Sequence, residues 1–247
     1  MTPPVFLAPV AQLAGRGVGD RLRLQGSQGR HAATVRRLER GEQLDLVDGA
    51  GVRARCAVLA VVDRALDLEV LSVCAEPPPD PRLVLVQALA KGDRGEQAVE
   101  AATEVGVDEV VPWAAARSVA QWRGERGERS RERWRVTADE AAKQSRRAWL
   151  PAVTGLVSTQ ELAGRVRASA LAVLLHGPAE RPLAGLALPG GGDVLLIVGP
   201  EGGVTEEERE VLRTAGAVEA RLGAGVLRTS TAGVAALAVL SAAHRWR

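Results

Sequence analysis

Three short glycine-containing stretches carry the residues best suited to chemistry. Val194-Leu195-Leu196-Ile197-Val198 leads into Gly199-Pro200-Glu201-Gly202-Gly203. Leu174-Leu175 leads into His176-Gly177-Pro178, and Leu222-Gly223-Ala224-Gly225-Val226-Leu227-Arg228 runs into Thr229-Ser230-Thr231. Glycine lets the backbone approach a ligand closely and tolerates the positive φ of a tight curl. Two side chains stand out within these curls. Glu201 sits among residues that require no charge. Arg228 directly precedes a helix, where a cation is electrostatically unfavourable, so it is expected to face something polar or anionic. Pairing with Glu201 or Glu206 is the purely structural alternative. The pattern predicts one small-molecule pocket built from three loops.

The elements that must hold these loops read as an alternation of strands and helices. Leu83 to Leu89, Glu109 to Trp113, Leu171 to Leu175 and Val194 to Val198 are near-continuous apolar runs, as strands buried on both faces require. Glu96 to Val105 has helical spacing and stops at Gly106. Arg131 to Ala148 reads as a long charged helix, Thr205-Glu206-Glu207-Glu208 is a capping box, and Thr229 to Ala243 is an Ala-rich helix. Strands alternating with helices predict an α/β domain with a parallel sheet. In open sheets of that kind, ligands sit beyond the carboxyl ends of the strands.

Before this region lies Glu76-Pro77-Pro78-Pro79-Asp80-Pro81. Prolines at that density can continue neither a helix nor a central strand, so the segment is a stiff connector. Upstream of it Gln43 to Val47, Val52 to Val61 and Leu66 to Val73 read as strands around the turns Asp48-Gly49-Ala50-Gly51 and Asp63-Arg64. Gly29 to Leu38 reads as a short helix carrying His31, Arg36 and Arg37. A small β-rich module, of barrel type, is expected here.

Between Arg117 and Arg147 nine Arg and one Lys face five acids, with Trp113, Trp122, Trp134 and Trp149 in or beside the stretch. Two readings stand. Basic side chains interleaved with aromatic faces are what single-stranded RNA sites use. A solvated helix laced with Arg–Glu pairs, such as Arg131 and Arg135 flanking Glu128 and Glu132, has the same composition.

Competing chemistries find no support. No Gly-x-Gly-x-x-Gly follows a strand, and neither a P-loop nor Gly-x-Ser-x-Gly occurs. Three dispersed histidines give no metal spacing, so no metal is expected. Cys56 and Cys74 lie in alternating apolar stretches and read as buried free thiols. The opening residues carry no charged-then-apolar leader, and no apolar run reaches the ~18 residues of a membrane span. A reduced cytoplasmic protein without membrane contact is the expectation. With 247 residues, 46% apolar and 25% charged, the chain is too apolar to be disordered and long enough for two small domains. Only 2% is aromatic, so its cores must be built from Val, Leu and Ala. A net charge of +2 means that any polyanion must be held by a local patch.

In their order and spacing these blocks resemble a known family. His31 with Val35 and Arg37, Lys91-Gly92-Asp93-Arg94, Thr103-Glu104-Val105-Gly106-Val107 and Arg117-Ser118 are followed by Glu140-Ala141-Ala142-Lys143-Gln144-Ser145-Arg146-Arg147. Gly199-Pro200-Glu201-Gly202-Gly203 and the stretch Leu222-Gly223 through Leu227-Arg228-Thr229 close the series. Nearly the whole chain is similar to the bacterial 16S ribosomal RNA uridine-N3 methyltransferases of the SPOUT superfamily, the RsmE type.

The resemblance implies a PUA-like β-barrel over residues 1–75 that helps to hold RNA. It also implies a SPOUT α/β domain over residues 80–247, with a parallel sheet, a C-terminal trefoil knot and a homodimer formed through that domain. S-adenosylmethionine is expected in the knot, against Leu175, His176, Gly177, Val198, Gly199, Pro200, Glu201, Gly202, Gly203, Leu222, Gly223, Val226, Leu227 and Arg228. The implied reaction moves its methyl group to N3 of a uridine in 16S rRNA of the small subunit, with no metal. Arg228 is the candidate that stabilises charge on the uracil. Glu201 is expected to orient Arg228 rather than to accept the proton. His31, Arg37, Lys91, Arg94, Arg117, Arg146 and Arg147 are the candidates for RNA contact. The chain departs from the family pattern at Ser230, where an acid is usual, and at Gly225, where a basic residue is common. Two other readings stay open: methylation of another rRNA or tRNA position, and a non-catalytic RNA-binding protein of ribosome assembly.

Overall fold

The computed structural model describes residues 2–246. The chain divides into two compact units, one running through Pro78 and including Ala142–Leu150, the other comprising the remainder. The division at Pro78 falls within the proline-rich segment, and a nine-residue segment carrying Arg146 and Arg147 packs with the first unit.

The first unit is a five-stranded sheet in the order β1-β3-β4-β5-β2. Its strands are β1 (Val5–Leu7), β2 (Arg21–Leu24), β3 (Gln43–Val47), β4 (Val52–Val62) and β5 (Ala65–Ala75). Short helices α1 (Val10–Leu13) and α2 (Gly26–Arg30) lie between β1 and β3, and α2 continues as a π-helical turn over His31–Val35. The helix expected from Gly29 to Leu38 thus begins and ends about three residues earlier. Asp63 and Arg64, both at positive φ, form the two-residue hairpin between β4 and β5, the backbone geometry that matches strand twist. At the other hairpin, Gly51 has φ +100, and a Cβ there would meet the Trp149 ring at 2.7 Å. Leu22, Leu24, Leu44, Leu46, Leu66 and Leu68 form the core. Cys56 is buried among them, which pushes its thiol up to about 12 and keeps it protonated. Cys74, expected to be buried, is exposed, because β5 runs beyond the covered part of the sheet and its last five residues face solvent.

The second unit is a six-stranded parallel sheet in the order β11-β9-β10-β6-β7-β8. Its strands are β6 (Arg82–Ala88), β7 (Glu109–Trp113), β8 (Ala152–Val153), β9 (Leu171–Leu175), β10 (Asp193–Val198) and β11 (Val218–Ala220). All their pairings are parallel. Alternation along the central strands feeds two cores. Leu83, Leu85, Val194, Leu196 and Val198 meet α3 (Arg94–Glu104) and α7 (Thr229–His244) through Val99, Leu237 and Leu240. Val84, Val86, Leu195 and Ile197 meet α5 (Thr159–Ala168) and α6 (Glu206–Thr214) through Leu162 and Leu212. Covering both faces explains why the strands read as unbroken apolar runs. The long charged helix is α4 (Gly124–Gln144), seven residues earlier at its start than the sequence reading. It ends before Arg146, whose φ of 58 cannot continue a right-handed helix. No helix among the described residues is long and apolar enough to cross a membrane.

Candidate functional site

Because the sheet is parallel, the loops after β9, β10 and β11 leave it on the same side. Strand order sets those of β9 and β10 next to one another and that of β11 beyond β9. The amide of His176 donates to the carbonyl of Ala220 at 2.9 Å, tying two of these ends together. They enclose a cavity of about 540 Å³. Leu175, His176 and Gly177 form one wall, and Val198, Gly199, Pro200, Glu201 and Gly203 another. Leu222, Gly223, Gly225, Val226, Leu227 and Arg228 form the third, with Arg94 and Thr229 also in the lining. Of the fourteen cavity positions predicted from sequence, only Gly202 does not line this space. It faces away, against the side chain of Arg117.

The loop after β10 is held by residues from three other strand ends. Glu201 accepts from Arg94 Nη1 at 2.7 Å and from the amide of Lys91 at 3.2 Å. Partial burial pushes the Glu201 carboxyl up. The Arg94 hydrogen bond, the backbone amides of Glu201 and Lys91 and the Arg94 charge outweigh this and carry it below the usual carboxylate range. Arg117, beyond the end of β7, donates to the carbonyl of Gly202 at 3.1 Å. Beneath the loop the buried Gln87 donates through Nε2 to Thr229 Oγ1 at 2.9 Å, and that hydroxyl donates to the carbonyl of Gly199 at 2.9 Å. One chain of hydrogen bonds therefore joins β6, the start of α7 and the first glycine of the curl.

The capping box at the start of α6 does more than cap. Besides the reciprocal bonds between Thr205 and Glu208, Glu208 Oε1 accepts from the amide of Ala116 at 2.8 Å and from Thr159 Oγ1 at 2.9 Å. A helix-capping carboxylate thus anchors the segment that carries Arg117.

Residues 77–241 match the family described as RNA methyltransferase domain, and residues 24–71 match the RNA methyltransferase PUA domain. The chain is 45% identical over 228 residues to ribosomal RNA small subunit methyltransferase E of Mycobacterium bovis, spanning 90% of this chain and 87% of that one. It is 31% identical over 226 residues, 88% of each, to the Bacillus subtilis protein of the same name. A Legionella pneumophila structure in complex with the bound cofactor SAM superposes with a TM-score of 0.83 at 29% identity, over 98% of both chains. The ribosomal RNA small subunit methyltransferase E of Neisseria gonorrhoeae, bound to S-adenosyl methionine, gives 0.85 at 24% identity over 98% of both, a likeness of fold. The chain belongs to the RsmE-type RNA methyltransferase family.

Within this RsmE-type chain the structure corrects several expectations. Glu201 pairs not with Arg228 but with Arg94 and the amide of Lys91, both through Oε1. Arg228 is exposed, precedes α7 at an extended backbone position and makes no side-chain cap. It forms no ion pair with any described residue. The tryptophans are packing residues rather than stacking platforms. Trp113 and Trp134 are buried, and Trp122 stands edge-on to Trp134 at 4.8 Å. Trp149 donates from its indole to the carbonyl of Glu76 at 3.1 Å. A Cβ at Gly95 would meet Trp134 at 2.5 Å, so close helix packing explains that glycine.

The charged face of α4 follows the second of its two readings. Arg129 pairs with Glu125, Arg131 with Glu128 and Arg135 with both Glu132 and Asp139. Of the predicted RNA contacts, Arg94 lines the cavity, while Lys91 and Arg117 flank the Gly199–Gly203 curl. His31, Arg37, Arg146 and Arg147 belong to the first unit. There His31 meets the ring of Phe6 at 6.0 Å, and the carbonyl of Arg146 accepts from Arg53 at 2.9 Å. Sequence reasoning missed Gln87, Thr229 and Glu208 as site-shaping residues. A polar residue inside an otherwise apolar strand was the available signal for Gln87.

Proposed function

We propose that this chain transfers the methyl group of S-adenosylmethionine to N3 of a uridine in the 16S ribosomal RNA of the small subunit. One observation carries the reading. A cavity walled by three backbone curls opens beside Arg94 and Arg228, on an RsmE-type fold. Its volume lies within the range of small-molecule sites. Its walls suit an adenine nucleoside, since Leu175, Val198, Leu222 and Leu227 supply apolar surface and the curls supply backbone amides. No Cβ would meet anything within 4 Å at Gly177, Gly223 or Gly225, so those curls leave open space. When bound, S-adenosylmethionine supplies a methyl already activated on a positively charged sulfur, and metal assistance is not needed.

The protein must then prepare the base. N3 carries a proton and is a poor nucleophile until that proton leaves. Arg228, partnerless at the rim, is the cation that stabilises negative charge on the uracil oxygens as the proton passes to solvent. Positioning of N3 against the methyl supplies several kcal/mol more. Glu201 is a carboxylate already engaged by Arg94 and an amide, which makes it a weak base, so its role is to hold Arg94 at the cavity wall. Since N3 lies on the pairing edge, the target must be unpaired or flipped out. Incubation with small subunits lacking the modification, followed by nucleoside mass spectrometry, tests the reading. 3-Methyluridine is the expected product; its absence, or another methylated nucleoside, overturns it.

The knotted path, the homodimer, a cytoplasmic location and the domain limits 1–75 and 80–247 belong to the same proposal. The outer face of α7 supports the dimer, since the helix carries no charged residue from Thr229 to Ala243 and leaves Val234, Ala235 and Ala238 partly uncovered. Sedimentation at micromolar concentration should show a single species of twice the chain mass.

A further inference from the structure

Between Leu83 and Leu89 the single polar residue is Gln87, and it is fully buried. Alternation along β6 puts it on the face of Leu83 and Leu85, against α7. The helix comes close there, since a Cβ at Gly233 would meet Leu85 at 2.7 Å and Val198 at 3.5 Å. Thr229 stands four residues before Gly233, on the same side of α7, so this close approach brings its hydroxyl to the glutamine. A leucine at position 87 would extend the apolar face with no polar atom to satisfy. The glutamine brings two, and its Oε1 accepts from no described group. A buried acceptor without a donor is unfavourable, so packing does not account for this side chain.

Its donor end does. Nε2 carries two protons and meets two acceptors, the Ala88 carbonyl at 3.2 Å and Thr229 Oγ1 at 2.9 Å. Turned over, the amide would set its oxygen against the Ala88 carbonyl, acceptor against acceptor. An amide nitrogen only donates. Thr229 Oγ1 therefore receives a proton from Gln87, and its own single proton goes to the Gly199 carbonyl at 2.9 Å. That carbonyl opens the curl. It belongs to the peptide bond to Pro200, which has no N–H with which to hold the turn. A Cβ on Gly199 would meet Val204 at 2.6 Å. With the hydroxyl and Val204 both in place the plane of that peptide is set, and it carries Pro200 and Glu201 into the cavity lining.

We propose that Gln87 is a positioning residue of the cofactor seat. It does not line the cavity. As a donor it aims the Thr229 hydroxyl at Gly199 and so holds the Gly199–Gly203 curl in its binding shape. The inference rests on the methyltransferase reading for the identity of the ligand, S-adenosylmethionine.

The test is calorimetry of S-adenosylmethionine binding to the full chain and to Q87L, T229V and Q87L/T229V, with a thermal melt of each. Q87L should bind about tenfold more weakly, the equivalent of one hydrogen bond. Its Tm should stay at or above that of the wild type, because an apolar side chain replaces a buried acceptor that no donor meets. Both residues act through one hydroxyl, so Q87L/T229V should bind no more weakly than T229V alone. Independent contributions would instead multiply to about a hundredfold. A hundredfold loss in the double variant overturns the proposal, as does a Q87L Tm that falls along with its affinity, the mark of a packing role. If the unmutated chain binds S-adenosylmethionine and Q87L binds it equally well, this inference alone falls. If the unmutated chain does not bind it, the methyltransferase reading falls and takes the inference with it.

Discussion

The two glycine-rich curls that face each other across the cavity look alike in sequence and differ sharply in support. The Gly199–Gly203 curl is gripped from outside: Arg94 and Lys91 hold Glu201, Arg117 holds Gly202, and Thr229 holds Gly199. The Leu222–Arg228 curl has no such side-chain grip among the described residues. Val226 is 95% exposed and Leu227 42%. One curl is a prebuilt seat. The other is a loop whose apolar side chains stand open to solvent. Holding one wall rigid and leaving the other free lets a site bind with preset geometry and still admit its ligand.

The largest test of that contrast is Arg228→Ala, on the open side. Removing a cation that stabilises developing charge should cost roughly 10²- to 10³-fold in kcat, while calorimetry shows S-adenosylmethionine still bound. Retained turnover would return Arg228 to the ordinary surface. Next comes Thr229→Val on the gripped side. It removes one of the two acceptors of the buried Gln87 amide and the hydroxyl on the half-buried Gly199 carbonyl, at about 1–3 kcal/mol in all. S-adenosylmethionine should bind roughly tenfold more weakly, with Thr229→Ser restoring most of the loss; equal affinity in the Val variant would show that the hydroxyl relay does not shape the seat.

Glu201→Gln should act more mildly, since both partners of the Arg94 pair are partly exposed and such pairs contribute at most ~1 kcal/mol. The folded-state carboxyl is depressed, so its contribution is full above the ordinary glutamate value and fades as the pH falls through the lowered one. The difference in Tm between wild type and Glu201→Gln should therefore be constant across neutral pH and shrink only in acid. A difference that changes near neutrality would mean that another group is titrating. Smallest of all is a matched pair of glycines. Gly225→Ala meets nothing within 4 Å and should leave stability within about 0.5 kcal/mol, as surface changes generally do. Gly202→Ala presses on Arg117 Cβ at 3.1 Å and should lower Tm measurably. Equal Tm values for the two would erase the distinction between the curls.

The same contrast shows what could be read from the chain and what could not. Strands β9 and β10 were legible because buried parallel strands leave unbroken apolar runs, whereas β11, broken by Glu219, was legible only through the glycines that follow it. The capping box at Thr205 was legible because it is local. The partner of Glu201 was not, since Arg94 lies over a hundred residues away and Arg228, nearer in sequence, looked the better match. Gln87 and Thr229 likewise meet only across the sheet. Composition left α4 open, because arginine-rich helix and RNA surface share one signature until the i,i+3 and i,i+4 partners are seen. Cys74 was misread because alternation tells which face a residue is on and not whether that face is covered.

By itself, then, the chain's local order determined the central strands, the starts of α6 and α7 and which loops carry glycine, since those depend on backbone preferences and neighbours a few residues away. Only the tertiary structure decided which charges are spent on one another and which stand free. Ion pairs and hydrogen bonds act over about 3 Å in space whatever the separation along the chain, and strand order alone brings such groups together.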